Sequence, residues 1–238
     1  MAAVLAATAP VAAHAAPELG PAYGDNMVLQ QGATITLSGR GQAGGKVTAS
    51  LGNAAASAAK DGAGNFTLTL PALPATTAPL TLTLTDESGT ATYANILIGE
   101  VFLCAGQSNM ELPVDRALDV YNQLRLAHDD GIRLLMIPKT TAPLPQSTFP
   151  DPVAWKPATR ESVAPFSAAC FYMAKSLRRK DPATPIGLTP FQLGRQRRAR
   201  VARYRRRAHA AWAAIARSAR PLCPRSLCRS AGFRAAMV

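Results

Sequence analysis

The sequence predicts an α/β protein in two parts, a small N-terminal β-sandwich followed by an incomplete three-layer α/β/α domain on a parallel sheet. Three observations carry this. Between residues 17 and 94 apolar residues alternate with Thr at a period of two, as antiparallel strands with one wet face do. From Asn95 the pattern switches to apolar runs separated by helix-period segments, as in strands joined by crossover helices. After Leu188 both patterns stop. The chain therefore divides into residues 1–16, 17–94, 95–188 and 189–238.

Residues 1–16 are almost all Ala, Val, Leu and Pro, and Ala13-His14-Ala15 fits an A-x-A cleavage site. They read as the remnant of a secretory signal peptide, although no basic n-region precedes them, and they imply a periplasmic or secreted protein. The stretch is too short and too poor in bulky residues to span a bilayer, and no other segment reaches about 18 consecutive apolar residues, so no membrane span is expected.

In the second part, Val47, Ala49 and Leu51 alternate along Lys46 to Leu51, and Phe66, Leu68 and Leu70 along Asn65 to Leu70. Leu80, Leu82 and Leu84 do the same against Thr81 and Thr83. Gly41 to Gly45, Asp61 to Gly64 and Asp86 to Gly89 supply the turns.

In the third part, Asn95 to Ala105 is the first strand. Asp115 to about Ala127 is the next helix, with Leu118, Tyr121 and Leu124 facing inward. Asp129-Asp130-Gly131 is a turn and Ile132 to Ile137 the second strand. Thr140 to Ser162 is a Pro-rich surface loop, carrying Trp155, near the site. Pro165 suits a first helical turn. Phe166, Ala169, Cys170, Met173 and Leu177 form that helix's core stripe, and Arg178, Arg179 and Lys180 end it. Pro185 to Leu188 opens the third strand.

The chemistry concentrates where the first strand stops. Ser108 lies just past the strand's carboxyl end, where open α/β sheets place reactive groups, and its backbone amide opens the next segment. On the residues alone, Ser108 reads either as a cap or turn residue or as a nucleophile. Gly99-Glu100-Val101-Phe102-Leu103-Cys104-Ala105-Gly106-Gln107-Ser108-Asn109-Met110 resembles the nucleophile block of the sialate O-acetylesterase family within the SGNH hydrolases. Asp25 to Gln31, with Met27-Val28-Leu29-Gln30, resembles the segment opening that family's β domain. Phe166 to Ala174 and Pro185 to Leu188 resemble the helix and strand leading to its second motif block.

The resemblance covers about residues 17 to 188. It implies an SGNH-type fold, a catalytic Ser108 whose own amide contributes to the oxyanion hole, an acyl-enzyme route, and O-acetylated sialic acids or related glycans as substrate. No cofactor and no metal are implied. A xylan-type polysaccharide acetylesterase is the close variant. A glycan-binding β-sandwich beside a vestigial hydrolase domain is the alternative of a different class.

The base is missing. The family takes it from an Asp-x-x-His block near its C-terminus, and takes further oxyanion donors from a Gly and an Asn block; none of these occurs in this frame. Of three His, His14 lies in the leader, His128 beside Asp129 and Asp130 reads as solvated or capping, and His209 lies in the tail. The chain as written is expected to be a truncated and inactive esterase.

The tail explains the gap. Residues 1–188 are close to neutral, whereas residues 189–238 carry 13 Arg, no Lys and no acid, so the formal charge of +12 belongs to the last fifty residues. Arg195 to Arg207 holds eight Arg, and Cys223 and Cys228 have no partner pair with which to hold a metal. The charge is thus not read as a nucleic-acid footprint. Thr189 to Arg195 can be encoded so that advancing one nucleotide yields Pro-His-Ser-Asn-Trp-Gly-Gly. The family resemblance places His-Ser-Asn-Trp-Gly-Gly at this point. A one-nucleotide frame change near codon 189 is therefore the expectation, with a disordered tail. Cys104 and Cys170 read as small core residues rather than a disulfide.

Overall fold

A computed structural model describes residues 15–106, 108–138, 144, 146 and 148–192, with side chains as far as residue 190. Residues 1–14 of the expected leader and 193–238 of the expected tail lie outside the described residues, whereas Thr189 to Gln192, expected to begin a disordered tail, instead complete β11 by pairing with Leu103 to Gly106. The strands are β1 (Glu18–Leu19), β2 (Val28–Gln30), β3 (Ile35–Arg40), β4 (Lys46–Leu51), β5 (Ala54–Ala59), β6 (Asn65–Leu70), β7 (Thr76–Asp86), β8 (Gly89–Gly106), β9 (Asp129–Leu135), β10 (Trp155–Ala158) and β11 (Ile186–Gln192). The helices are α1 (Ser108–Glu111), α2 (Val120–Arg125), α3 (Arg160–Val163) and α4 (Ala168–Lys180), with a 3-10 turn at Val114–Arg116.

A three-stranded sheet in the order β1-β3-β6 faces a larger one in the order β10-β9-β11-β8-β7-β4-β5, in which β2, pairing with β8, is the eighth strand. The period-two sequence pattern is what welds the two. Leu37, Phe66, Leu68 and Leu70 from the small sheet and Val47, Leu51, Leu82, Leu84, Ile96 and Ile98 from the large one share a single buried cluster. A second cluster, with Ile132, Leu134, Val163, Phe166, Phe171, Ala174 and Leu188, sits under the helices.

The large sheet is mixed rather than parallel. β11 runs parallel to both β8 and β9, but β10, β7, β4 and β5 pair antiparallel. β8 is continuous through Asn95, the expected domain boundary, where the backbone is left-handed (φ 58°).

Several local expectations are corrected. The helix placed over residues 115–127 is only the 3-10 turn and α2, because Asp119 adopts φ 60° and interrupts it. Leu118 and Tyr121 consequently point to solvent (92% and 75% exposed), and of the proposed inner face only Leu124 packs against the core. Asp129 to Gly131 begin β9 rather than forming a turn. The Pro-rich segment contains β10 and α3, and Trp155 is buried, its indole Nε1–H donating to the Ala22 carbonyl at 2.9 Å.

α4 starts at Ala168, capped by the Ser167 hydroxyl, so Pro165 precedes it. Its inner face is Cys170, Phe171 and Ala174, whereas Ala169 and Met173 face outward. Cys104 and Cys170 are not separate core thiols but form a disulfide: β8 and α4 bring their Cα atoms to 5.9 Å, within bridging range.

Candidate active site

Val101 to Cys104 are strand-forming residues, and the run ends at Gly106. A Cβ there would lie 2.9 Å from Met110 Cβ, so glycine is what lets α1 fold back against β8. Ser167 Oγ donates to Met110 Sδ at 3.0 Å and so ties α1 to the start of α4. Four residues upstream of Ser108, the disulfide fastens β8 to the same helix.

Ser108 is the first residue of α1 and is exposed, and no described residue hydrogen-bonds its hydroxyl. The carboxyl end of β11 lies beside it. The register pairs Pro190 with Cys104 and Gln192 with Gly106, so the chain leaves β11 next to Ser108. Ser108 thus stands exposed just past the carboxyl end of β8.

No base joins it among the described residues. Ile132 of β9 is level with Ile186 and hence with Glu100 of β8. His128 precedes β9 while Ser108 comes after β8, so they stand at opposite ends of the strands, roughly 30 Å apart at ~3.3 Å per residue. His128 is 74% exposed on its side chain, with Nε2 3.9 Å from Asp130 Oδ1, which fits the solvated reading. His14 and His209 lie outside the described residues. No group of three or more His, Cys, Asp or Glu among the described residues could hold a metal ion.

The two sequence blocks that carry the resemblance touch. β2 pairs with β8 through Val28–Leu97, Leu29–Ile98 and Gln30–Gly99. The Gln30 side chain then extends the ladder: its Oε1 accepts from Val101 N at 2.9 Å and its Nε2 donates to Glu100 at 3.0 Å. Gln31 Nε2 donates to the other Glu100 oxygen at 2.8 Å. A side chain at Gly99 would collide with the Pro185 carbonyl, and one at Gly187 would meet Val28 Cβ at 2.9 Å. These contacts seat the β part on the strand that leads to Ser108. Sequence reading finds the two blocks but not their contact, because pairing across some seventy residues leaves no local signal.

No protein-family model matches the chain, and no curated protein matches it. Among solved structures, the chain is similar to XAC1771, described as a novel carbohydrate acetylesterase from Xanthomonas citri. The identity is 29% and the TM-score 0.70, over 75% of this chain and 40% of that one, so the chain spans well under half of its neighbour. A chimeric titin Z1Z2 tandem is also matched, at 20% identity and a TM-score of 0.23 over 37% of this chain and 50% of that one, too low to bear on the fold. The chain is thus a mixed α/β protein whose fold is similar to part of a carbohydrate acetylesterase.

Proposed function

We propose that this chain carries the nucleophile-bearing part of a carbohydrate O-acetylesterase of the SGNH type, with Ser108 as nucleophile. The observation that carries the proposal is an exposed serine just past β8, beside the carboxyl end of β11, in a fold similar to a carbohydrate acetylesterase. Ser108 Oγ attacks the acetyl carbonyl, its proton passing to a base. The Ser108 amide donates to the oxyanion, the sugar hydroxyl leaves, and water releases acetate from the acyl-enzyme.

The base and the remaining oxyanion donors belong to sequence beyond β11 in the advanced frame. The chain as written is accordingly inactive, and residues 189–238 are out of frame, so that the last four residues of β11 stand where the native strand end would lie. O-acetylated sialic acid is the preferred substrate, on the strength of the Met27 to Gln31 block. The Cys104–Cys170 disulfide favours a periplasmic or secreted location, since such bonds persist in oxidising compartments.

The test is expression with the frame advanced by one nucleotide at codon 189, then assay of acetate release from O-acetylated sialic acid and from acetylated xylan. Release from the sialic acid, reduced about 10⁴-fold by Ser108→Ala, is expected. Release from xylan alone would move the substrate class. Release from neither, or glycan binding without hydrolysis, would overturn the esterase reading.

A further inference from the structure

At the end of the strands opposite Ser108, a cleft of about 480 Å³ opens among β7, β8, β9, β10 and α4. Its polar wall is Thr77, Asn95, Asp129, Asp130, Arg133 and Arg178. Arg133 is the unusual member. The residue is 3% exposed, yet its guanidinium meets only neutral amides: Nη1 donates to Asn26 Oδ1 at 3.2 Å and Nη2 to Asn95 Oδ1 at 3.3 Å. Its Nε has no acceptor. Asn26 and Asn95 are themselves joined, Nδ2 of Asn95 donating to Asn26 Oδ1 at 2.6 Å, and both hold left-handed backbone (φ 65° and 58°) to do so. A buried cation hydrogen-bonded to no anion is strongly unfavourable, and a guanidinium left so at a cleft wall is a receptor for one.

The other charges in the cleft define what fits. Arg178 is committed: Nε and Nη2 donate to Asp129 at 3.2 and 3.0 Å, and Nη1 donates to the carbonyls of Pro182 and Thr184. Asp130 is exposed and hydrogen-bonds neither arginine, but its charge faces Arg133.

We propose that this cleft binds a small organic monocarboxylate seated on Arg133. With two of its five N–H groups engaged by Asn26 and Asn95, the guanidinium keeps donors for the plane of a carboxylate. A single available cation beside Asp130 disfavours a dianion such as phosphate. Thr77 and Asn95 give a hydroxylated carboxylate of sugar-acid size further partners, and the volume takes a single sugar ring. The site is independent of the esterase reading, because no described residue of it lies at the Ser108 end.

The test is calorimetric titration of the full chain with acetate, D-glucuronate, inorganic phosphate and D-glucose, alongside Arg133→Gln and Asp130→Asn, with circular dichroism to confirm folding. Acetate and glucuronate are expected to bind competitively, glucuronate more tightly, while phosphate and glucose do not. Arg133→Gln weakens binding about tenfold or more, and Asp130→Asn tightens it by removing a repelling charge. Absence of carboxylate binding, affinity unchanged in Arg133→Gln, or preference for phosphate overturns the proposal. If Arg133→Gln does not fold, Asp130→Asn decides: affinity unchanged or weakened overturns it.

Discussion

Gln30 does the work of two backbone groups. Its amide continues the β2 ladder onto Val101 after the β2 backbone has turned away, and it also engages Glu100. Replacing it with Leu leaves the Val101 N–H without its acceptor, which costs about 1–3 kcal/mol. We expect a lower urea midpoint for Gln30→Leu, and an unchanged midpoint would show that water takes the amide's place.

A second residue-scale feature is Lys60, buried just past the end of β5 with Nζ 2.6 Å from Asp86 and 3.1 Å from Glu87. Burial pushes the Asp86 carboxyl up, but hydrogen bonds from Lys60 and Ser88 outweigh it and hold the carboxyl at about 2, below its ordinary 3.8. The folded form is therefore the more acidic. Its contribution is complete above the ordinary value and is lost as pH falls toward 2. Denaturation midpoints measured downward from pH 5 should fall through this window, and Asp86→Asn should flatten that part of the profile.

At the scale of elements, β8 and α4 form the frame around Ser108. The disulfide between them closes a loop of some sixty residues, for which loss costs about 2–4 kcal/mol. Reduction, or Cys170→Ala, should lower the melting temperature measurably, and a melting curve indifferent to reductant would contradict a formed bridge. Phe171, fully buried on the inner face of α4, should cost about 3–5 kcal/mol as Ala. Met173, which the helical spacing also suggests, is 36% exposed and should cost much less.

Elements also show what sequence can and cannot deliver. β4 and β6 are legible residue for residue because each has one wet and one buried face. β5 is not, since Ala54 to Ala59 has no bulky residues to mark a period. The interrupted helix before β9 fails for a different reason: a single left-handed Asp119 rotates Leu118 and Tyr121 off the face that periodicity assigns them. β10 stays hidden because a Pro-rich run resembles a loop until an antiparallel neighbour supplies its hydrogen bonds.

For the whole molecule, the sequence locates Ser108 because one strand, one glycine and one short helix suffice to present it, and all are local. The partners that the proposed site needs would come from distant segments, which leave no local signal. The fold brings the end of β11 to Ser108 and carries His128 to the far end of the strands, and among the described residues no base reaches Ser108. The Arg133 cleft is invisible to sequence reading for the same reason, as Asn26, Asn95 and Arg133 come from three separate segments.

The central claim is that Ser108 forms a covalent acetyl intermediate once the frame is restored from codon 189. It is tested most directly by rapid quenching of the frame-restored protein with an O-acetylated sugar and mass spectrometry of the peptide containing Ser108. An acetyl group on Ser108 that accumulates before steady state, and is absent in Ser108→Ala, is the predicted result. Turnover with Ser108 unmodified, or turnover that survives Ser108→Ala, would contradict the account.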